Sequence, residues 1–176
     1  STSDVHEIGD EPAVVRNHFN SLIGAVSENR WKGIYQLKQE FPQIEQVVLD
    51  DAFQHRNLNP DFSILLTAYN DLFVHDQLFP VGGLRDLKSR ASSAQAIVVT
   101  KCPDSLSEEA QEIIKRQLNL ASHQILAFTG IEYEEPLPAF ENLGPWNEGR
   151  KTLCFAGLAN PIPFFLEGRN RSVATI

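Results

Sequence analysis

The stretch AIVVTKCPDSLSEEAQEIIKRQLNLASHQILAF, residues 96–128, decides the fold class. It opens on one apolar run, Ala96 to Thr100, and closes on another, Ile125 to Phe128. Short runs without polar alternation are what strands covered on both faces look like. Between the two runs, Leu106, Ala110, Ile113, Ile114 and Leu118 recur at helical intervals, and Ser105-Leu106-Ser107-Glu108 has capping-box spacing. Strand, amphipathic helix and strand together make a βαβ unit, whose strands run parallel.

The same rhythm extends upstream and downstream. Gln46-Val47-Val48-Leu49 is a β-branched apolar burst ending abruptly in Asp50-Asp51, and reads as a buried strand entering a loop. Phe62 to Thr67 and Thr152 to Ala156 are further strand-like runs. A helix is expected from Asp10, with Pro12 in its first turn, toward Phe19. A second is expected over Asn29 to Phe41, with Ile34, Leu37 and Phe41 on one face, Pro42 as the stop and Gly33 as a weak point. The expectation is an α/β fold, a mostly parallel sheet with flanking helices. Two segments break the rhythm. Phe79-Pro80-Val81-Gly82-Gly83-Leu84-Arg85 reads as an ordered loop over a site, and the Pro-rich stretch from Glu134 to Trp146 as a hinge.

Composition narrows the function. At 176 residues the chain suits one domain, or one with a small annex. Its net charge of −8, with no basic stripe interleaved with aromatics, argues against a nucleic-acid partner. Its longest apolar runs fall far short of the roughly 20 residues that a spanning helix needs. Two cysteines far apart, Cys102 and Cys154, indicate neither a disulfide framework nor a zinc site, and fit a reducing compartment. The chain contains no Met, so it reads as an internal fragment of a longer protein.

Chemistry-bearing residues cluster at the ends of these runs. Ligands of open parallel sheets sit beyond the carboxyl ends of the strands. Asp50-Asp51 is expected at such an end, where carboxylates suit a hard cation such as Mg²⁺; solvated acids capping a turn are the plainer reading. Gln54 and His55 enrich the same loop, His55 as a neutral donor to phosphate or as a partner orienting a carboxylate. Asp10, with Glu11 beside it, is either a helix N-cap or an ionised base that accepts a hydroxyl proton. Arg85, after the Gly82-Gly83 pair, is a candidate anion contact, or a surface arginine in a turn. Thr100-Lys101-Cys102-Pro103-Asp104 misses a guanine-reading pattern by one position and is set aside. No G-x-x-x-x-G-K-[ST] phosphate loop occurs in the chain.

Five ordered blocks carry a resemblance: Gly9-Asp10-Glu11-Pro12, then Val47 through Arg56 with Asp50-Asp51-Ala52-Phe53-Gln54-His55 at its centre, then Leu78 through Arg85, then Val98 through Pro103, then Phe155 through Pro161. Together they resemble the tetraacyldisaccharide 4'-kinase family of lipid A biosynthesis, over about residues 8–166. The resemblance implies a P-loop-type kinase that moves the γ-phosphate of ATP, with Mg²⁺, to the 4'-hydroxyl of an acylated glucosamine disaccharide 1-phosphate. It implies work at the cytoplasmic face of the bacterial inner membrane, by peripheral contact. By the same resemblance Asp10 is the catalytic aspartate and Glu11 its acidic neighbour, Asp50 and Asp51 lie near Mg²⁺, and Gln54 and His55 share the active-site loop. It further implies that the phosphate loop lies upstream and a histidine motif downstream, so the chain alone is expected to be inactive. The expected organisation is the later part of a nucleotide-binding domain over 1–133, a connector over 134–150, and the start of a smaller C-terminal α/β domain over 151–176. Two alternatives keep the scaffold: a non-catalytic lipid-binding module, and a different P-loop small-molecule phosphotransferase.

Overall fold

A computed structural model describes residue 19 and residues 21–55, 57–135, 153–158 and 160–171. The chain divides into two units, one ending at Thr129 and one beginning at Gly130.

In the first unit, helix α1 spans Arg30–Glu40, inside the expected range. Its N-cap is Asn29, whose side-chain oxygen accepts from the Lys32 N–H at 3.1 Å, satisfying one of the amides that a helix start leaves open. Gly33 is buried against Ser27, where an added Cβ would press on the serine side chain. The glycine that weakens helix propensity therefore permits close packing.

Strands β1 (Ile64–Ala68), β2 (Ala96–Thr100) and β3 (Ile125–Phe128) form a parallel sheet in the order β1-β2-β3. The register pairs Leu65 with Ile97 and Ile97 with Leu126. Helix α2, Glu108–Leu118, is the crossover between β2 and β3. Its N-cap is Ser107, which accepts from the Ala110 N–H at 3.2 Å. The capping box expected from Ser105 is thus replaced by a cap two residues later, which leaves Glu108 and Glu109 in the first turn, facing the positive end of the helix dipole. Lys115 and Arg116 complement the other end, and Asn119 closes it in the left-handed conformation at φ 48°.

The core lies on one side of the sheet. Ile97, Val99, Leu72, Cys102, Ile114 and Leu118 are buried together, with Leu65, Leu106, Leu126 and Phe128 packed around them. The opposite side differs from the expectation of strands covered on both faces. Ile64, Leu66 and Ile125 are exposed there, and only β2 is buried along most of its length. Alternation in β1 separates the faces: Leu65 and Thr67 turn inward, Ile64 and Leu66 outward. The buried Thr67 hydroxyl is satisfied locally, accepting from the Phe73 N–H at 2.9 Å.

Two expected strands do not form among the described residues. Gln46 to Leu49 is irregular, with Val48 91% exposed. Leu153 to Ala156 is irregular too, with Leu153 and Phe155 exposed. Both runs have β propensity, but a strand needs a partner for its backbone groups, and neither has one among the described residues. The run at Phe62 becomes β1 two residues later, since the ladder begins where Ile64 meets Ala96.

In the second unit, helix α3 spans Ile162–Arg171. Arg171 pairs with Glu167 one turn back and with Glu135 at 3.3 Å, and donates to the Tyr133 carbonyl at 3.0 Å. The helix expected over 10–19 lies outside the described residues apart from Phe19, as does the connector over 134–150 apart from Glu134 and Glu135.

Candidate functional site

The acidic loop and the Gly-Gly loop meet in space. Asp51 adopts a left-handed backbone, φ 43°, which aspartate tolerates better than most side chains. Its N–H donates to the Asp50 carboxylate at 2.9 Å. Its own carboxylate faces Arg85, with Nη1 to Oδ2 at 3.4 Å, joining positions 34 apart in sequence. Both side chains stay largely in solvent, so the pair positions charge more than it stabilises the fold.

A second contact fastens the same loop. Arg90, in the 3₁₀ helix Lys88–Ser93, donates Nη2–H to the Phe53 carbonyl at 3.2 Å. Its guanidinium also lies 5.6 Å from the centre of the Phe53 ring, within cation–π range. Asp86, one turn earlier, pairs with Arg90 at 3.4 Å. Sequence reasoning missed this clamp. Its only signal is the Asp86/Arg90 spacing of four, which orients the arginine but does not name Phe53 as its target.

The remaining candidates have distinct placements. Gln54 and His55 follow Asp51 in a turn closed by the His55 N–H on the Ala52 carbonyl at 2.9 Å. Gln54 is exposed and His55 half-buried. The pair shares the acidic loop, but no contact joins either side chain to the carboxylates. Asp10 and Glu11 lie outside the described residues. The expectation that Asp50 and Asp51 cap a buried strand is corrected: the segment before them is irregular, and the loop is held by the residues leading into β2. A cavity of about 340 Å³ opens elsewhere, between the turn after β1 and α2, lined by Tyr69, His75, Ile113 and Gln117 among others. None of the candidate residues lines it.

Among the described residues no group of three or more His, Cys, Asp and Glu is placed to hold a metal. A Mg²⁺ ion serving a nucleotide needs less than that. It takes one or two carboxylates and fills its other positions with phosphate oxygens and water. Asp50 and Asp51 supply hard oxygen donors of the right number, accessible to solvent.

The loop from Asp76 to Arg85 is ordered, as expected. The Phe79 N–H donates to Leu84 O at 2.8 Å and the Leu84 N–H to Gln77 O at 3.0 Å. Gly82 is required there: a Cβ would overlap the Asp76 carboxylate and the Gln77 backbone.

Comparison with known families matches residues 1–175 to the family described as tetraacyldisaccharide-1-P 4'-kinase. Among curated relatives, the tetraacyldisaccharide 4'-kinase of Bacteroides thetaiotaomicron is 45% identical over 178 residues, covering 94% of this chain and 47% of the relative. Those of Flavobacterium johnsoniae and Flavobacterium psychrophilum are 39% and 41% identical, each over 93% of this chain and 48% and 49% of the relative. The chain thus spans about half the length of the curated relatives it matches. No solved structure matches. Among the described residues, no helix is long and apolar enough to cross a membrane.

Proposed function

From the chain's place in the tetraacyldisaccharide-1-P 4'-kinase family, to which it belongs, we propose that it forms part of an ATP-dependent kinase acting on the 4'-hydroxyl of an acylated disaccharide 1-phosphate in lipid A biosynthesis. The observation that carries this reading is the family match over nearly the whole chain. The approach of Arg85 to Asp51 is compatible with it, since it brings a candidate anion contact beside a candidate metal-holding loop.

Phosphoryl transfer needs positioning and charge compensation more than covalent chemistry. In the proposed reaction the acceptor oxygen bonds to the γ-phosphorus, the bond from that phosphorus to the β–γ bridging oxygen breaks, and ADP leaves. The acceptor's proton passes to the Asp10 carboxylate, with Glu11 beside it. Asp50 and Asp51 would hold Mg²⁺, whose charge would offset that of the phosphates. Arg85 would fork onto phosphate oxygens, and Gln54 and His55 share the acidic loop. The Arg90 clamp on Phe53 keeps that loop in place. The family resemblance implies peripheral work at the cytoplasmic face of the inner membrane, and an acceptor that carries acyl chains is compatible with a lipid surface.

The test uses the natural protein that carries this chain, incubated with ATP, Mg²⁺ and the disaccharide acceptor. The acceptor should gain the mass of one phosphate, and chelation of Mg²⁺ should stop the gain. ATP hydrolysis with no phosphorylated acceptor would reject the reading.

A further inference from the structure

The acidic loop has few ties to the body of its unit. Among the described residues, two polar side-chain contacts join residues 50–55 to the rest of it, Arg85 on Asp51 and Arg90 on Phe53. Their surroundings differ. The Arg85 pair stands in solvent on both sides, whereas the Arg90 and Asp86 side chains are 34% and 10% exposed. Water competes less for the second contact, so it holds its geometry better. Arg90 also stands on a fixed base. Its 3₁₀ helix, Lys88–Ser93, runs into the fully buried Ala94. The Gln124 side chain, just ahead of β3, donates to both Ala91 O and Ala94 O, at 2.8 and 2.9 Å. Gln124 is itself oriented by the Ala121 N–H, which donates to its Oε1 at 2.9 Å. From this base one guanidinium meets Phe53 twice, at the carbonyl and at the ring. A lysine ammonium, a compact charge without a planar fork, does not reproduce both contacts.

We infer that Arg90 is a positioning residue for the binding of nucleotide with its divalent cation: acting through Phe53, it holds Asp50 and Asp51 where that cation would meet them. The inference rests on the reading of these two aspartates given above, but its test does not use phosphotransfer. The two tethers have different fates under that reading. When Arg85 turns to phosphate and Asp51 to the cation, the exposed ion pair between them is given up. The Arg90 contact is made to a backbone carbonyl and an aromatic ring, neither of which the nucleotide claims. It therefore persists through binding. A loop already held in place loses less conformational freedom when its ligand arrives, and that saving appears as affinity. The effect is confined to the form of the nucleotide that carries the cation, because Arg90 reaches the site only through the aspartate loop and touches no phosphate itself.

The test titrates the natural protein with ADP by calorimetry, once with Mg²⁺ in excess and once in EDTA, at a temperature where melts show each variant folded. Arg90→Met should weaken ADP binding about tenfold or more with Mg²⁺ and less than about twofold in EDTA. Arg90→Lys should fall between Met and the parent. Phe53→Leu leaves Arg90 and the carbonyl in place and removes the ring, so it reads the same link independently of how the arginine variants fold; it should weaken binding with Mg²⁺ about two- to fivefold. The double variant should bind no worse than Arg90→Met alone, because both changes cut one connection. Unchanged affinity with Mg²⁺ in Arg90→Met or in Phe53→Leu overturns the inference. So does an equal loss in EDTA, since Arg90 would then serve the nucleotide directly, and so do additive losses in the double variant, since Arg90 would then act by a route other than Phe53. A parent whose ADP affinity gains nothing from Mg²⁺ rejects the reading of the two aspartates and the inference with it; a parent that gains, beside an Arg90→Met protein that gains equally, rejects the inference alone.

Discussion

Replacing Asp51 with Asn separates the chemistry of the acidic loop from the stability of the fold. The substitution keeps the shape of the side chain and removes its charge. Asparagine accepts the left-handed backbone at φ 43° as readily as aspartate does, so the turn is undisturbed. The lost ion pair with Arg85 is long, at 3.4 Å, and both side chains are about 70% exposed. Pairs of that kind contribute at most about 1 kcal/mol, a melting shift of no more than about 4 °C. Arg85 remains solvated. The proposed role gives a far larger effect. Removing one preorganised electrostatic group from a transition state typically lowers kcat by about 10²–10³, or about 2.7–4 kcal/mol. The assay measures initial rates of phosphate transfer in the natural protein across a Mg²⁺ titration, beside thermal melts of the same samples. Loss of activity below tenfold at saturating Mg²⁺, or a melting shift well beyond that of an exposed pair, would refute the reasoning.

Other predictions concern the scaffold. Ile97→Ala removes a side chain that is 1% exposed at the centre of the core and should destabilise the protein by about 2–5 kcal/mol; Leu66→Ala, 63% exposed on the open face, should change the urea midpoint much less, and equal effects would contradict the one-sided core. Ser107→Ala should lower stability by about 1 kcal/mol through loss of the α2 cap, whereas Ser105→Ala should leave the urea midpoint in place. Burial pushes the Cys102 thiol above its ordinary value, opposed by a backbone hydrogen bond at Thr129. The folded state therefore favours the neutral thiol, and its contribution is complete below the unfolded thiol value of about 8.5 and is lost as pH rises through the raised folded value. Melting temperatures should fall over that alkaline range, and the fall should be smaller in Cys102→Ala.

The parts of the fold that were legible in the sequence are those whose signal is local. Strands β2 and β3 match their apolar runs residue for residue, because each run is bracketed by turn residues and separated by one strongly amphipathic helix. β1 starts two residues after its apolar run, since register depends on the neighbouring strand, which a run of hydrophobic residues does not encode. Val47, Val48, Leu153 and Phe155 have the same composition as true strands, and what distinguishes them is the want of a hydrogen-bonding partner among the described residues. Coverage of the sheet on both faces follows from the same composition, and fails in β1, where the outward Ile64 and Leu66 are as apolar as the inward Leu65. The candidate site shows the same division. Asp50, Asp51 and Arg85 were each identifiable from residue type and flanking turns, but the approach of Arg85 to Asp51 is a tertiary contact. The Arg90 clamp on Phe53 was missed for that reason.

The most direct measurement of the central claim is the position of the phosphate in the product made by the natural protein from ATP and a tetraacylated disaccharide 1-phosphate. Phosphorus–proton correlation spectra should place it on the 4'-oxygen, and a 4'-deoxy acceptor or the Asp10→Asn protein should yield none. A phosphate on another hydroxyl, or undiminished transfer by Asp10→Asn, would contradict the account.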